Sequence, residues 1–207
     1  MTLAQDWDFR DLTHWQWSEK FDGCRAYWDG QALWTRGGNV ILAPSSFIES
    51  LPAGIALDGE IWAGRGGYIE AMNAVRHGIF TDRITFQCFD CPGASGDWIS
   101  RMKQAEKFQN RIVRTCDRGV IKSRDEASER AAKIIEQGGE GLMLRSPNVF
   151  EYQRKRTNTL QRIKAKNLYA PWHGAKPQFK FRKFGGLDFS QMPFDPEIEY
   201  KIASHLA

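Results

Sequence analysis

Residues 24–41 read CRAYWDGQALWTRGGNVI, with aromatic or aliphatic residues alternating around Asp29-Gly30. Alternation of period two sets one face of a strand against a core, and Asp-Gly is a favoured two-residue hairpin turn. The stretch therefore predicts a β-hairpin. GIALDGEIWAG (54–64), RITFQCFDC (83–91), EGLMLRS (140–146) and TLQRIKAK (159–166) predict further strands. Helices are expected at Gly67–Val75, Ser100–Arg111 and Asp125–Gln137. In the last of these Ala127, Ala131, Ile134 and Ile135 form an apolar stripe, Ser123 can cap the start, and Gly138-Gly139 ends it. Strands and helices mix without a βαβ rhythm, which predicts an α+β fold. From about Leu168 the texture changes to Pro, Gly, Phe and Lys, and a final short helix is expected at Glu197–His205. The division expected is a main domain over 1–170 and a short basic, aromatic tail over 171–207.

The 207 residues are 42% hydrophobic and 13% aromatic, enough for one good core with a small appendage. A net charge of +4 permits a polyanionic partner without demanding one. No run approaches 18 apolar residues, so no membrane partner is expected. Residues 1–19 hold Asp6, Asp8, Asp11 and Glu19 and no apolar run, so no export signal is expected and the cytoplasm is the expected location. The C-x-x-C of Cys88 and Cys91 has no second pair at zinc-site spacing. With Cys24 and Cys116 these are expected to be free thiols in a reducing compartment.

The candidate chemistry starts at Lys20, two residues before Asp22-Gly23. At neutral pH a lysine is an ammonium, and only its surroundings can make it a nucleophile. An isolated K-x-D-G is most simply a surface lysine before a turn. Here the motif is not isolated. Lys20-Phe21-Asp22-Gly23-Cys24-Arg25 resembles the K-x-D-G-x-R signature of ATP-dependent DNA ligases. TRGGN (35–39), LDGEIW (57–62), FQCFD (86–90) and EGLMLR (140–145) follow in that family's order. SEK, AYWDG, RGGN and GGEGLML resemble especially its small bacterial members, many of which carry an export signal. The resemblance covers residues 14–170.

It implies a nucleotidyltransferase (ATP-grasp-like adenylation domain) fold with antiparallel sheets flanked by helices. It implies Lys20 as the nucleophile that takes AMP from ATP, with Glu140 and Lys164 as its catalytic partners. Glu60 would bind the ribose, Phe89 would stack on adenine, and Ser18 would lie beside the nucleotide. Glu140, with Glu60, would hold Mg²⁺, with Mn²⁺ as an alternative. Arg25 and Arg36 would bind phosphate. The final basic motif has two registers, Arg162-Ile163-Lys164 or Lys164-Ala165-Lys166. Both assume a strand, on which residues two apart share a face, and the first register is preferred.

The implied partner is nicked double-stranded DNA, bound by a monomer. The family's oligonucleotide-binding barrel does not fit in the 37 residues after Ala170. Lys176, Lys180, Arg182 and Lys183 are an expected substitute contact to DNA, and a strand packed on the core is an equal alternative for that text. The rival readings are an RNA ligase of the same superfamily and a nick-binding protein that no longer adenylates.

Overall fold

The computed structural model describes residues 1–8, 10–150 and 152–168. The tail, its lysines and the helix expected at Glu197–His205 lie outside the described residues, as does the boundary expected at residue 170.

Two five-stranded sheets form the frame. One contains β1 (Leu3–Asp6), β2 (Gln16–Lys20), β8 (Arg118–Val120), β9 (Gly141–Arg145) and β10 (Arg156–Lys164), in the order β1-β10-β9-β2-β8. The other contains β3 (Cys24–Trp28), β4 (Leu33–Thr35), β5 (Leu57–Trp62), β6 (Thr85–Asp90) and β7 (Val113–Thr115), in the order β4-β3-β5-β6-β7. Pairing is antiparallel except at one edge of each sheet, where β1–β10 and β6–β7 are parallel. The helices are α1 (Ser45–Ile48), α2 (Tyr68–His77), α3 (Trp98–Glu106), α4 (Arg124–Glu136) and α5 (Ala165–Leu168).

The expected hairpin forms as β3–β4, with Ala26 opposite Thr35 and Trp28 opposite Leu33. The Ser123 hydroxyl caps α4 by accepting from the Glu126 N–H at 3.1 Å. Helix α3 starts two residues earlier than expected, because the Asp97 side chain accepts from the Ser100 N–H and Trp98 is buried. It also stops five residues short of Arg111. Asn110 accepts from both the Ile112 and Val113 N–H groups and turns the chain into β7. β10 starts at Arg156, three residues before the expected Thr159, and ends at Lys164. Lys166 therefore belongs to α5 and not to a strand.

Each sheet has an apolar back. Helix α4 lays Ala127, Ala131 and Ile134 on Leu142, Leu144 and Ile163 of β9 and β10. Helices α2 and α3 lay Ala71, Ala74, Met102 and Ala105 on Ala26, Ile61, Phe86 and Cys88. With helices on both backs, the polar front faces of the sheets are left to line a cleft between them. The four cysteines are free thiols, three of them buried. Among the described residues no helix is long and apolar enough to cross a membrane.

Candidate active site

Lys20 is the last residue of β2 and pairs with Gly141, the first of β9. Alternation along β2 puts Ser18 and Lys20 on the cleft face and Trp17 and Glu19 on the other. Phe21 then enters the core, and Asp22-Gly23 turns the chain into β3. Glycine is required in that turn by close approach. A Cβ at Gly23 would lie 2.4 Å from the Ile61 carbonyl oxygen and 2.9 Å from Cγ of Glu60. The K-x-D-G turn is thereby pressed against β5, the strand that carries Glu60.

Glu140 sits in the turn before β9. Gly141 follows at φ 144°, with its α-carbon so close to Ile163 that a Cβ would lie 2.0 Å from the carbonyl oxygen. Only glycine permits that approach, which brings Lys164, opposite Gly141 on β10, beside Glu140. Lys20 donates to one carboxylate oxygen of Glu140, and Lys164 pairs with the other. Burial pushes Glu60 up to about 7, opposed by the charges of Lys20 and Arg25 and assisted by those of Glu140 and Asp58. Burial, then the Glu140 charge, also pushes Asp22 up. The structure thus brings Lys20, Glu60, Glu140 and Lys164 together from four separate segments.

Further along the cleft the Arg25 guanidinium grips the buried carboxylate of Asp58 at 3.0 and 2.6 Å and donates to the Thr2 carbonyl. Tyr152 donates to the same aspartate. Arg25 lies over the Phe89 ring, 5.2 Å from its centre. Arg25, the expected phosphate ligand, is paired here with Asp58, which register places diagonally across β3–β5. Phe89 is half-buried, with part of its ring packed on the first core. Ser18 is fully buried and accepts from Arg145, whose guanidinium stacks 4.1 Å from the Trp98 ring. Arg25, Asp58, Phe89, Trp98, Arg145 and Tyr152 are among the residues that line a cavity between the two sheets.

Three expected residues stand apart. Arg36 is exposed in the turn after β4. Arg162 shares the cleft face of β10 with Lys164, but its guanidinium pairs with Asp6 at 2.6 Å. Lys166 pairs with the same Asp6 at 3.0 Å from α5. The strand argument for Lys164-Ala165-Lys166 fails because the strand ends at Lys164. The Arg162-Ile163-Lys164 register keeps its shared face.

Among the described residues no group of three or more His, Cys, Asp or Glu side chains could hold a metal unaided. Two carboxylates still fit Mg²⁺, which commonly takes one or two and fills its remaining positions with water and substrate phosphate. Sequence reasoning missed Asp58, Arg145 and Asp6. The first two stand inside the quoted LDGEIW and EGLMLR. Strand alternation from Glu60 and from Met143 would have assigned them to the cleft face.

No family model matches the chain. A DNA ligase of Haemophilus influenzae is 26% identical over 170 residues, covering 79% of this chain and 63% of that protein. The chain thus spans under two thirds of that relative's length. A solved structure from a study of DNA binding with a minimal scaffold by Lig E DNA ligases is 28% identical. It superposes with a TM-score of 0.72 over 79% of this chain and 68% of that one. The Chlorella virus DNA ligase-adenylate, at 18% identity and a TM-score of 0.67 over 79% and 68%, shares the fold. The ordered motifs converge in space on one cleft of that shared fold, and the chain is similar to the nucleotidyltransferase (adenylation) domain of ATP-dependent DNA ligases.

Proposed function

We propose that this chain takes AMP from ATP onto Lys20, passes it to the 5′-phosphate at a nick in duplex DNA, and seals the nick. The observation that carries the reading is the meeting of Lys20, Glu60, Glu140 and Lys164 at one end of the cleft. In the first step the Lys20 ammonium gives up two protons to solvent and the departing pyrophosphate, its nitrogen bonds the α-phosphorus of ATP, and the bond from that phosphorus to the pyrophosphate oxygen breaks. The second step returns the Lys20 nitrogen and joins AMP to the 5′-phosphate. In the third, the 3′-hydroxyl attacks that phosphate and AMP leaves. Such transfers need positioning and charge neutralisation above all.

The chain's own groups suit those needs. Glu140 holds both ammonium groups on one carboxylate, which orients Lys20 toward the cleft and sets Lys164 beside the same phosphate. Glu60, near half-protonation at neutral pH, can accept from or donate to a ribose hydroxyl. Phe89 offers a ring face to adenine, and Arg25 with Asp58 shapes the wall beside it. Bound Mg²⁺ would neutralise phosphate charge, with Glu140 and Glu60 as its protein donors. The reading includes a monomer acting in the cytoplasm, and free thiols fit a reducing compartment. DNA as the partner is supported by the DNA-binding study of the Lig E relatives.

Intact mass after incubation with ATP and Mg²⁺ tests the first step. An added AMP, absent in Lys20→Ala, supports the reading, and an unchanged mass overturns it. Nicked DNA and nicked RNA offered together then decide the substrate.

A further inference from the structure

Arg65 lies in the loop between β5 and α2, five residues after Glu60 and beyond the LDGEIW motif. Its guanidinium reaches across the end of the cleft to the other sheet. Nε and one Nη donate to the two carboxylate oxygens of Glu19, each at 2.9 Å. The other Nη donates to the side-chain oxygen of Gln137 at 3.0 Å and lies 3.4 Å from its carbonyl oxygen. Glu19 immediately precedes Lys20 on the opposite face of β2. Gln137 caps the C-terminal end of α4 and opens the Gly138-Gly139 turn that carries Glu140. A Cβ at Gly139 would lie 3.0 Å from the Glu19 carboxylate, so the turn packs directly on the gripped side chain.

This placement answers a mechanical problem. Lys20 and Glu140 both stand where the β2–β9 ladder runs out, and Glu140 follows two glycines, one of them at φ 81°. Glycine leaves such a turn the widest conformational freedom of any residue. Main-chain pairing alone therefore does not hold Glu140 against Lys20. One guanidinium ties the strand of Glu60, the strand of Lys20 and the turn of Glu140 together. A planar fork with five donors can do this, and the three rotatable donors of a lysine cannot reproduce it.

We propose that Arg65 is a positioning residue for AMP attachment, acting through Glu19 and the Gly138-Gly139 turn to hold Lys20 and Glu140 in register with Glu60. The inference rests on the adenylation reading above. It gives Arg65 no contact with the nucleotide, so the loss of Arg65 should slow the chemistry and spare ATP binding.

The test is single-turnover AMP attachment to the full chain with radiolabelled ATP and Mg²⁺, alongside melting temperature. Arg65→Ala should lower the rate at saturating ATP by about 10- to 100-fold. The ATP concentration for half-maximal rate should stay within about threefold of wild type, the signature of a lost transition-state arrangement. Arg65→Lys should recover only part of the rate, and Arg65→Ala/Glu19→Ala should be no slower than Arg65→Ala, since the two side chains act as one unit. A wild-type rate in Arg65→Ala overturns the inference, as does a loss carried wholly by weaker ATP binding. If Arg65→Ala melts below the assay temperature, Arg65→Lys decides: a folded protein with a reduced maximal rate supports positioning, and a wild-type rate overturns it. Wild-type protein that forms no AMP adduct overturns the adenylation reading itself, and this inference falls with it.

Discussion

Lys20 and Lys164 share one carboxylate: each ammonium meets a different oxygen of Glu140. They come from strands 144 positions apart in the chain and are brought together because both pair with Gly141. The carboxylate spaces two cations that would otherwise repel across the cleft.

Lys20→Ala should form no AMP adduct and seal no nick from ATP, because no other side chain supplies the nucleophile. The same variant should still seal a nick that already carries AMP, since that step needs no adduct on lysine. Gel analysis of both substrates checks this. Sealing from ATP by the variant would remove Lys20 from its role.

Glu140→Gln keeps the shape of the side chain and removes its charge. Its two ammonium partners then lose their shared anion, and any bound metal loses a ligand. The rate of AMP attachment should fall by about 100-fold or more. DNA affinity, measured by anisotropy, should change little. An equal loss in both would assign Glu140 a role in building the domain.

Gly23→Ala forces a methyl group toward the Ile61 carbonyl, a backbone atom that cannot swing aside. The variant should lose about 1–3 kcal/mol of stability, seen as a lower melting temperature. AMP attachment should slow as well, because relief of the clash moves the Lys20 turn away from Glu60. A variant with wild-type stability would show that the turn and β5 are not in tight contact.

The raised Glu60 gives stability a pH dependence of known sign. Its folded value of about 7 lies above the ordinary 4.5, so between these limits the native state binds more protons than the unfolded state. Stability should therefore fall as pH rises through that window. The comparison is with Glu60→Gln, whose amide does not titrate, in chelator-containing buffer. Denaturant unfolding at pH 5, 6 and 7.5 should show wild type losing ground against the variant. A constant difference would mean that Glu60 is not held in a desolvated place.

Asp6 neutralises both Arg162 and Lys166. On the DNA-binding reading, Asp6→Asn frees two cations for backbone phosphates. DNA should bind more tightly at low salt, and the slope of log K against log salt should steepen by roughly 0.9 for each added phosphate contact. An unchanged slope would place the Asp6 cluster away from DNA.

Much of the local architecture was legible in the residues themselves. Alternation around Asp29-Gly30 marked β3–β4, because half-buried strands repeat with period two wherever they fold. Ser123 and Gly138 marked the ends of α4, because a cap satisfies groups only a few residues away. The order of the motifs also identified Lys20, Glu60, Glu140 and Lys164, the four residues that meet.

What the tertiary structure alone decided was the partner of each charge. Leu3 pairs with Arg156 across the parallel β1–β10 ladder, and a shift of register between Ala4 and Gln5 then sets Asp6 opposite Arg162. Nothing near either residue in the chain signals it. Arg25 reads as a phosphate ligand in its motif, yet the β3–β5 register sets it on Asp58. Lys166 sits two residues after Lys164, yet the strand ends between them and sends it to Asp6 from a helix. A carboxylate and a cation attract through space at a range set by strand register, so local pattern can name the charged residue and only the assembled sheets can choose what it faces.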